Sequence, residues 1–319
     1  MHKYFFTLKI IQTLPSNFEN ETVVTIGTFD GVHIGHQKII ERLVTSARNN
    51  ALKSAILTFF PHPRMVLQKD TTIKLLNTID EKAAIMEALG LDFLVIKKFT
   101  KAFSRIQAEN FVSDILVNQL QAKKVIIGYD HHFGRNRTAN IDDLRKFGRQ
   151  YDFDVEEISA QDINDVSVSS TKIRAALIEG NVNTANSYLG YNYMLTGTVI
   201  HGKGLGKDIG FPTANLHIEE SYKLIPRNGV YVVKSEINNH TYFGMMNIGT
   251  NPTVSETNMQ SIEINFFNLD DSLYGSKLKI DMLERIRNEQ KFNSVTELQT
   301  QLHQDKQTAL QYIQNYATH

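Results

Sequence analysis

Two histidines and three glycines stand close together near the start of the chain, at a spacing that is typical of an anion-binding site. Residues 25–36 read TIGTFDGVHIGH and overlap the end of an apolar run at residues 23–26. Apolar residues then recur at helical spacing as far as Ala47. The sequence therefore predicts a strand, a glycine turn and a helix. Such a turn presents backbone N–H groups and a helix N-terminus to an anion.

The residue types of this motif suit phosphate oxygens. The glycines let the backbone approach an anion, the imidazoles can donate hydrogen bonds, and an acidic residue lies between the glycines. The residues concerned are Gly27, Asp30, Gly31, His33, Gly35 and His36. Two other interpretations stay open. A His-Xaa-Xaa-His pair can hold zinc, although no third ligand stands at a familiar spacing, and a glycine turn can simply carry exposed imidazoles.

Two later segments of the first half favour phosphate binding. Residues 168–174 (VSSTKIR) put hydroxyls at the start of a predicted helix, with Lys and Arg in the next turn, which indicates a second anion site. An N-cap followed by a solvated Arg is the alternative. Residues 128–137 directly follow a predicted strand, so Asp130 is expected at the ligand-binding edge of the sheet, unless the segment is only a polar loop.

The second half has a different set of candidates. Residues 202–207 (GKGLGK) suggest a flexible loop that covers phosphates, although Asp208 and the short glycine spacing exclude a Walker P-loop. Residues 210–215 (GFPTAN) place Thr213 and Asn215 on the same side of an extended chain, and their oxygens suit Mg²⁺. The alternative is a Pro-Thr turn with Asn as a cap.

Glu263 is the candidate base of the second half. Residues 261–267 alternate as a strand, so Glu263 shares a face with Ser261 and Asn265. A buried Glu near a nucleotide would act as a general base, whereas an exposed strand Glu has no such role.

The predicted elements divide the chain in two. Strands at 22–26, 54–59, 93–96, 124–127 and 155–158 alternate with helices at 35–49, 79–89, 102–121 and 141–151. This order predicts an α/β domain with a Rossmann-like parallel sheet, and a short helix is expected at 170–179. From Met194 to Met282 the pattern is β-rich without helices, which predicts an antiparallel barrel, and the last 25 or so residues form a helix. In that helix Val295, Leu298, Leu302, Ala309 and Ile313 are expected on one apolar face. The predicted boundary falls in 183–192, giving domains 1–185 and 186–319.

Composition limits the partners and the compartment. The 319 residues contain 34 Lys plus Arg and 34 Asp plus Glu, so there is no overall positive field to attract nucleic acid. The absence of cysteine excludes disulfides and thiolate metal sites and fits a cytoplasmic protein. No apolar run approaches the length of a membrane span, and the N-terminus lacks a signal-peptide core. Self-association is left open.

The motifs together resemble a known family. The His-Xaa-Gly-His sequence is the signature of the nucleotidylyl-transferase superfamily. The longer pattern, which includes Phe29 and the later SSTKIR, is similar to the FMN adenylyltransferase module of prokaryotic bifunctional riboflavin kinase/FAD synthetases. The segment GFPTAN and the motifs at 229–231, 247–249, 252–253, 273–275 and 285–287 resemble the riboflavin kinase module of that family. Asp130, Ala139 and Asn251 depart from the usual residues of the family.

The resemblance implies two reactions. The C-terminal module would phosphorylate riboflavin to FMN with ATP, with Thr213 and Asn215 at Mg²⁺ and Glu263 as base. The N-terminal module would then transfer AMP from ATP to FMN, giving FAD and pyrophosphate, with His33 and His36 stabilising charge on the phosphates. The remaining nucleotide- and flavin-binding residues that it implies are Gly27, Phe29, Asp30, Gly31, Gly35, Asp130, Ser169, Thr171, Arg174, Gly202, Lys203, Gly204, Lys207, Tyr231 and Arg287. Another nucleotidylyl transferase, or a flavin- or RNA-binding regulator without catalysis, is the alternative.

Overall fold

Two compact units, Met1–Ser169 and Ser170–His319, make up the chain in the computed structural model. The structure describes residues 7–13, 18–68, 73–128, 132–159, 168–202, 206, 209–251 and 259–317. The predicted site residues Asp130, Lys203, Gly204 and Lys207 lie outside these ranges. Within them, no helix combines the length and the apolar character that crossing a membrane requires.

Six parallel strands form the sheet of the first unit, in the order β1-β4-β3-β2-β5-β6. All five predicted strands are confirmed, and β1 is an additional short strand at the edge. The strands are β1 (Lys9–Ile11), β2 (Thr22–Ile26), β3 (Lys53–Phe60), β4 (Phe93–Lys98), β5 (Ala122–Gly128) and β6 (Asp154–Ile158).

Helices connect these strands on both faces of the sheet. They are α1 (Ile34–Asn49), α2 (Pro63–Leu67), α3 (Ile79–Ala88), α4 (Ala108–Asn110), which continues as a π-helical stretch (Phe111–Gln119), and α5 (Ile141–Tyr151). The prediction of one helix over 102–121 was wrong. Ile106 and Gln107 are extended there, after a short 3₁₀ turn whose Phe103 ring packs against Phe59 and Phe99. Aromatic packing turns the chain where the apolar spacing alone predicts a continuous helix.

The two sides of the sheet carry separate hydrophobic cores because successive strand residues point to opposite faces. In β2, for example, Val23 packs with α1 and α3, whereas Val24 packs with the π-helical stretch and α5. Both valines are fully buried. The sheet is therefore covered on both faces, and its carboxyl edge is where loops can build a site.

The second unit begins with two helices, α6 (Ser170–Glu179) and α7 (Val182–Leu189). The predicted helix at 170–179 is confirmed, and α7 occupies much of the segment where the domain boundary is predicted. A closed antiparallel barrel follows in the order β10-β11-β8-β7-β12-β9, as predicted for this half. Its strands are β7 (Met194–Ile200), β8 (Ala214–His217), β9 (Gly229–Ile237), β10 (His240–Asn251), β11 (Met259–Phe266) and β12 (Lys277–Arg287).

The terminal helix α8 (Val295–Ala317) packs against the outside of the barrel. Ala309 is fully buried there, and Leu302 and Ile313 pack on the same core cluster, as expected from their spacing. Val295 was wrongly placed on this face, because it stands at the first residue of the helix and is 61% exposed. The helix is fixed by a charged contact as well, since Asp305, buried on its inner face, accepts three hydrogen bonds from Arg287 of β12.

Candidate active sites

The histidine loop, residues 27–36, lies at the switch point of the parallel sheet. From β2 the chain passes outward to β3 and β4 on one side, and later to β5 and β6 on the other. Ligands of open α/β sheets bind in the crevice that forms at such a point, at the carboxyl ends of the strands. The loop follows the carboxyl end of β2 and begins α1. The fold therefore puts the motif where the sequence analysis expects a phosphate site.

The backbone of the histidine loop adopts conformations that are unusual for its residue types. Gly31 has φ of +87°, and the non-glycine residues Phe29 and Val32 have φ of +45° and +35°. A left-handed conformation is rare for a β-branched residue such as Val32 and costs about 1–3 kcal/mol. Packing compensates for it, because Phe29 and Val32 are both buried in the core under α1.

The two histidines lie against one another at the start of α1. Their rings stack with centroids 3.7 Å apart and planes 16° from parallel. His33 is the N-cap of the helix, and its Nδ1 accepts a hydrogen bond from the backbone N–H of His36 at 3.4 Å. Nδ1 of His36 is buried and has no hydrogen-bond partner. An unpartnered buried ring nitrogen at a helix N-terminus is a group that a ligand would satisfy.

Both histidines are uncharged at neutral pH. Burial lowers the pKa of His33 to about 4, although nearby Asp30 opposes the shift. Burial also holds the pKa of His36 well below its usual value, with further lowering by His33 and by the cation of Lys82. Neutral imidazoles can donate an N–H to a phosphate without the cost of burying a charge.

Lys82 is the residue of this site that the sequence analysis missed. It lies on α3, is only 5% exposed, and its Nζ donates to the backbone carbonyl of Thr28 at 2.7 Å. From the same stretch of chain, the backbone N–H of Leu76 donates to Oδ1 of Asp30 at 2.9 Å. A single Lys in a predicted helix gives no sequence signal of a binding or catalytic role. Only the approach of α3 to the histidine loop brings Lys82 into contact with the predicted site.

The second predicted anion motif, residues 168–174, is divided along the chain between the two units. Ser169 ends the first unit, whereas Thr171 and Arg174 lie on α6, with Thr171 exposed and Arg174 half-buried. Helix α6 is attached to the barrel, because the backbone N–H of Arg227 donates to the carbonyl of Leu177 at 3.0 Å. The roles predicted for Ser169, Thr171 and Arg174 stay predictions.

The barrel brings together the three candidates of the second half. Glu263 of β11 pairs directly with Asn215 of β8 in the antiparallel register. Oγ1 of Thr213 donates to Oε2 of Glu263 at 3.4 Å. All three side chains are partly exposed, so they are accessible to a ligand. A hydroxyl, an amide and a carboxylate oxygen thus share one face of the barrel wall.

The glycine loop approaches this cluster. A Cβ on Gly202 would collide with the side-chain amide of Asn215, and one on Gly206 would lie 3.5 Å from Oγ1 of Thr213. Gly202 is therefore adjacent to the predicted metal ligand. Beside it, the ring of His201 stacks on Tyr274 at 4.0 Å, and Tyr274 is 54% exposed.

Tyr231 and Arg287 have partners within the barrel domain. Tyr231 is fully buried, and its hydroxyl donates to the carbonyl of Arg227. Burial raises the pKa of Tyr231. Arg287 forms its ion pair with Asp305 at 2.7 Å, which ties β12 to α8. Direct contact of Tyr231 or Arg287 with the flavin stays a prediction, since both side chains already stabilise the fold.

A loop that suits phosphates on one unit and a hydroxyl–amide–carboxylate cluster on the other define a two-domain transferase that acts on nucleotides. Residues 16–172 match the family model for FAD synthetase, and residues 189–313 match the model for riboflavin kinase. The chain belongs to the bifunctional riboflavin kinase/FMN adenylyltransferase family.

Relatives match along nearly the whole chain. A bifunctional riboflavin kinase/FMN adenylyltransferase of Bacillus subtilis (strain 168) is 38% identical over 302 residues, covering 92% of this chain and 93% of that protein. One of Listeria monocytogenes is 40% identical over 288 residues, covering 89% and 90%. A crystal structure described as a macrolide-efflux protein from Streptococcus pneumoniae superposes with a TM-score of 0.84 at 29% identity, covering 95% and 98% of the two chains.

Proposed function

We propose that this chain makes FMN from riboflavin and then FAD from FMN, using ATP in both steps. The first reaction is assigned to the barrel domain and the second to the α/β domain, with the predicted division at residues 185/186. The observation that carries the proposal is the pairing of Glu263 with Asn215, with Thr213 3.4 Å from the same carboxylate.

In the kinase reaction Glu263 is the general base. The 5′-hydroxyl of riboflavin attacks the γ-phosphorus of ATP, its proton passes to the carboxylate of Glu263, and ADP leaves with the electron pair of the broken P–O bond. The hydrogen bond from Thr213 orients that carboxylate. Gly202 leaves room for the Asn215 side chain, and the exposed stack of His201 and Tyr274 offers a flat surface to a planar ring.

Thr213 and Asn215 fit Mg²⁺, because both supply hard oxygen atoms. Within the described ranges no group of three or more His, Cys, Asp or Glu could hold a metal. Mg²⁺ does not require such a group, since it commonly takes one or two protein ligands and completes its shell with phosphates and water. When bound, Mg²⁺ would neutralise charge on the phosphates of ATP.

In the adenylylation reaction a phosphate oxygen of FMN attacks the α-phosphorus of ATP, and pyrophosphate leaves. His36 and His33 donate hydrogen bonds to the phosphates, and the unpartnered Nδ1 of His36 supports this assignment. Gly27, Gly31 and Gly35 allow the backbone to approach. Ser169, Thr171 and Arg174 are assigned to the leaving pyrophosphate. A cytoplasmic location stays a prediction.

The test is a time course with pure protein, riboflavin, ATP and Mg²⁺, in which the flavins are separated by chromatography. We expect FMN to appear first and FAD to follow. Adding FMN in place of riboflavin should give FAD without a lag. Conversion of neither flavin would favour a regulator that has lost catalysis, and FMN without FAD would remove adenylylation from the proposal.

A further inference from the structure

The part of the chain that leads into α3 is attached to the histidine loop at two points. The backbone N–H of Leu76 donates to Oδ1 of Asp30, and Nζ of Lys82 donates to the carbonyl of Thr28. Asp30 and Lys82 are 2% and 5% exposed, so both links are shielded from water. A buried charged hydrogen bond of this kind is stronger than an exposed one and holds one geometry.

The start of α3 is itself rigid, so it can act as a support. Thr78 and Glu81 form a reciprocal capping box, in which the side chain of each accepts a hydrogen bond from the backbone N–H of the other. Lys82 follows immediately on the buried side of the helix. Its position is therefore fixed by the helix and does not depend on a flexible side chain reaching across solvent.

The acceptor of Lys82 is the carbonyl at the point where the loop becomes strained. Thr28 directly precedes Phe29, the first of the residues with positive φ, and the Thr28 carbonyl also accepts from Oγ1 of Thr58 at 3.3 Å. Two donors thus hold one peptide group of the histidine loop. A strained backbone conformation persists only where surrounding contacts hold it in place. The hydrogen bonds from Lys82 and Thr58 to the Thr28 carbonyl are contacts of this kind.

We propose that Lys82 is a positioning residue for FMN adenylylation, which holds the Thr28 carbonyl so that the histidine loop keeps its phosphate-binding shape. The inference rests on the adenylylation proposed above. Burial lowers the pKa of Lys82, and nearby Asp30 opposes that shift. The Lys82 cation in turn lowers the pKa of His36, with Asp30 and His33 as the other titratable groups of the loop. The charge therefore adds to the attraction for phosphates, although Nζ itself points to the backbone.

The bifunctional chain supplies its own control, because the kinase reaction occurs in the other domain. Lys82→Met removes the charge and the donor, Lys82→Gln keeps a donor without charge, and Lys82→Arg keeps both. We expect Lys82→Met to lower kcat/KM for FAD formation from FMN by about 10- to 100-fold, the size of a charged hydrogen bond. The loss should appear mainly as a higher KM for ATP, with FMN formation within about twofold.

The Lys82 variants and a titration of His36 distinguish a positioning role of Lys82 from a general contribution to stability. Lys82→Arg should recover most of the adenylylation, and Lys82→Gln should lie between Arg and Met. In Lys82→Met the NMR titration of His36 should move to higher pH, because a neighbouring positive charge is gone. Lys38→Met, an exposed lysine of α1, is the matched control and should leave both activities unchanged.

Three results would overturn the inference. One is a Lys82→Met protein that forms FAD within twofold of the unchanged chain, and another is a parallel loss of both activities. The third is a set of variants whose ATP KM does not follow the order Arg, Gln, Met. If His36→Ala still abolishes FAD formation while Lys82→Met does not, the adenylylation site stands and only the role of Lys82 fails.

Discussion

In the proposed reactions, the α/β domain and the barrel stabilise the charge of the ATP phosphates with different kinds of groups. The histidine loop gathers nitrogen donors, namely backbone N–H groups, His33, His36 and the nearby cation of Lys82. The barrel cluster gathers oxygen atoms from Thr213, Asn215 and Glu263. Nitrogen donors can bind phosphate directly, whereas oxygen ligands need a cation between them and the phosphate.

The scaffolds explain the difference. A parallel sheet opens at its switch point onto a helix N-terminus, which already carries partial positive charge. A closed barrel offers side chains from paired strands and no helix end, so register decides which groups meet. His33 and the Nδ1 atom of His36 are buried, and both imidazoles are neutral. The three barrel side chains remain partly exposed.

The strongest test of the comparison changes the barrel base. Glu263→Gln should lower FMN formation by about 10³-fold or more, because the proton of the attacking hydroxyl has no acceptor. FAD formation from added FMN should stay within about twofold. Steady-state assays of each half-reaction measure both values, and Glu219→Gln, at an exposed position, is the control. Loss of both activities in folded protein would contradict separate sites.

The reciprocal change is His36→Ala. We expect FAD formation to fall by about 10²- to 10³-fold, the usual effect of removing a donor that stabilises phosphate charge, while FMN accumulates. Chromatography of the flavins gives both rates in one reaction. His240→Ala, at an exposed position of β10, should change neither rate. Normal FAD production would remove the histidine from the mechanism.

A third variant tests whether Arg287 binds the flavin or stabilises the fold. Asp305→Ala leaves the guanidinium without its buried partner, so the free energy of unfolding should fall by roughly 3 kcal/mol. The KM for riboflavin should change by less than about threefold where the variant is folded, a change below 1 kcal/mol. Denaturant unfolding and kinase assays measure the two effects. Asp142→Ala, in an exposed ion pair, is the control. A tenfold rise in the KM for riboflavin would instead support a role of Arg287 in flavin binding.

The smallest expected effect is a pH dependence of the free energy of unfolding that arises from His33 in the histidine loop. His33 has a folded pKa of about 4, below its unfolded value, so between these values the unfolded chain binds a proton that the folded chain excludes. Its contribution to stability is present above pH 6.5 and should decline by roughly 2 kcal/mol on going from pH 6.5 to 5. His33→Asn keeps a good N-cap and removes the titration. Urea unfolding across this range should show a shallower slope for the variant, and an unchanged slope would contradict the assignment.

The sequence was sufficient to predict the structure where the local residue pattern and the residue chemistry indicate the same element. Five of the six strands of the parallel sheet, the helix at 170–179 and the presence of an antiparallel barrel followed from the residue pattern, and the motifs identified the family. Sequence failed at 102–121 and at Val295 because periodicity carries no information on aromatic packing or on which turn of a helix reaches the core.

The sequence by itself determined which residue types are present for chemistry: the glycines and histidines of the loop, Thr213, Asn215 and Glu263. Only the tertiary structure decided which groups meet. It paired Glu263 with Asn215 through strand register and brought buried Lys82 to the carbonyl of Thr28, 54 residues away along the chain. It also gave Arg287 a partner in Asp305. Such contacts depend on how whole helices and strands pack. The residues that flank a side chain in sequence do not show which distant residues it will contact.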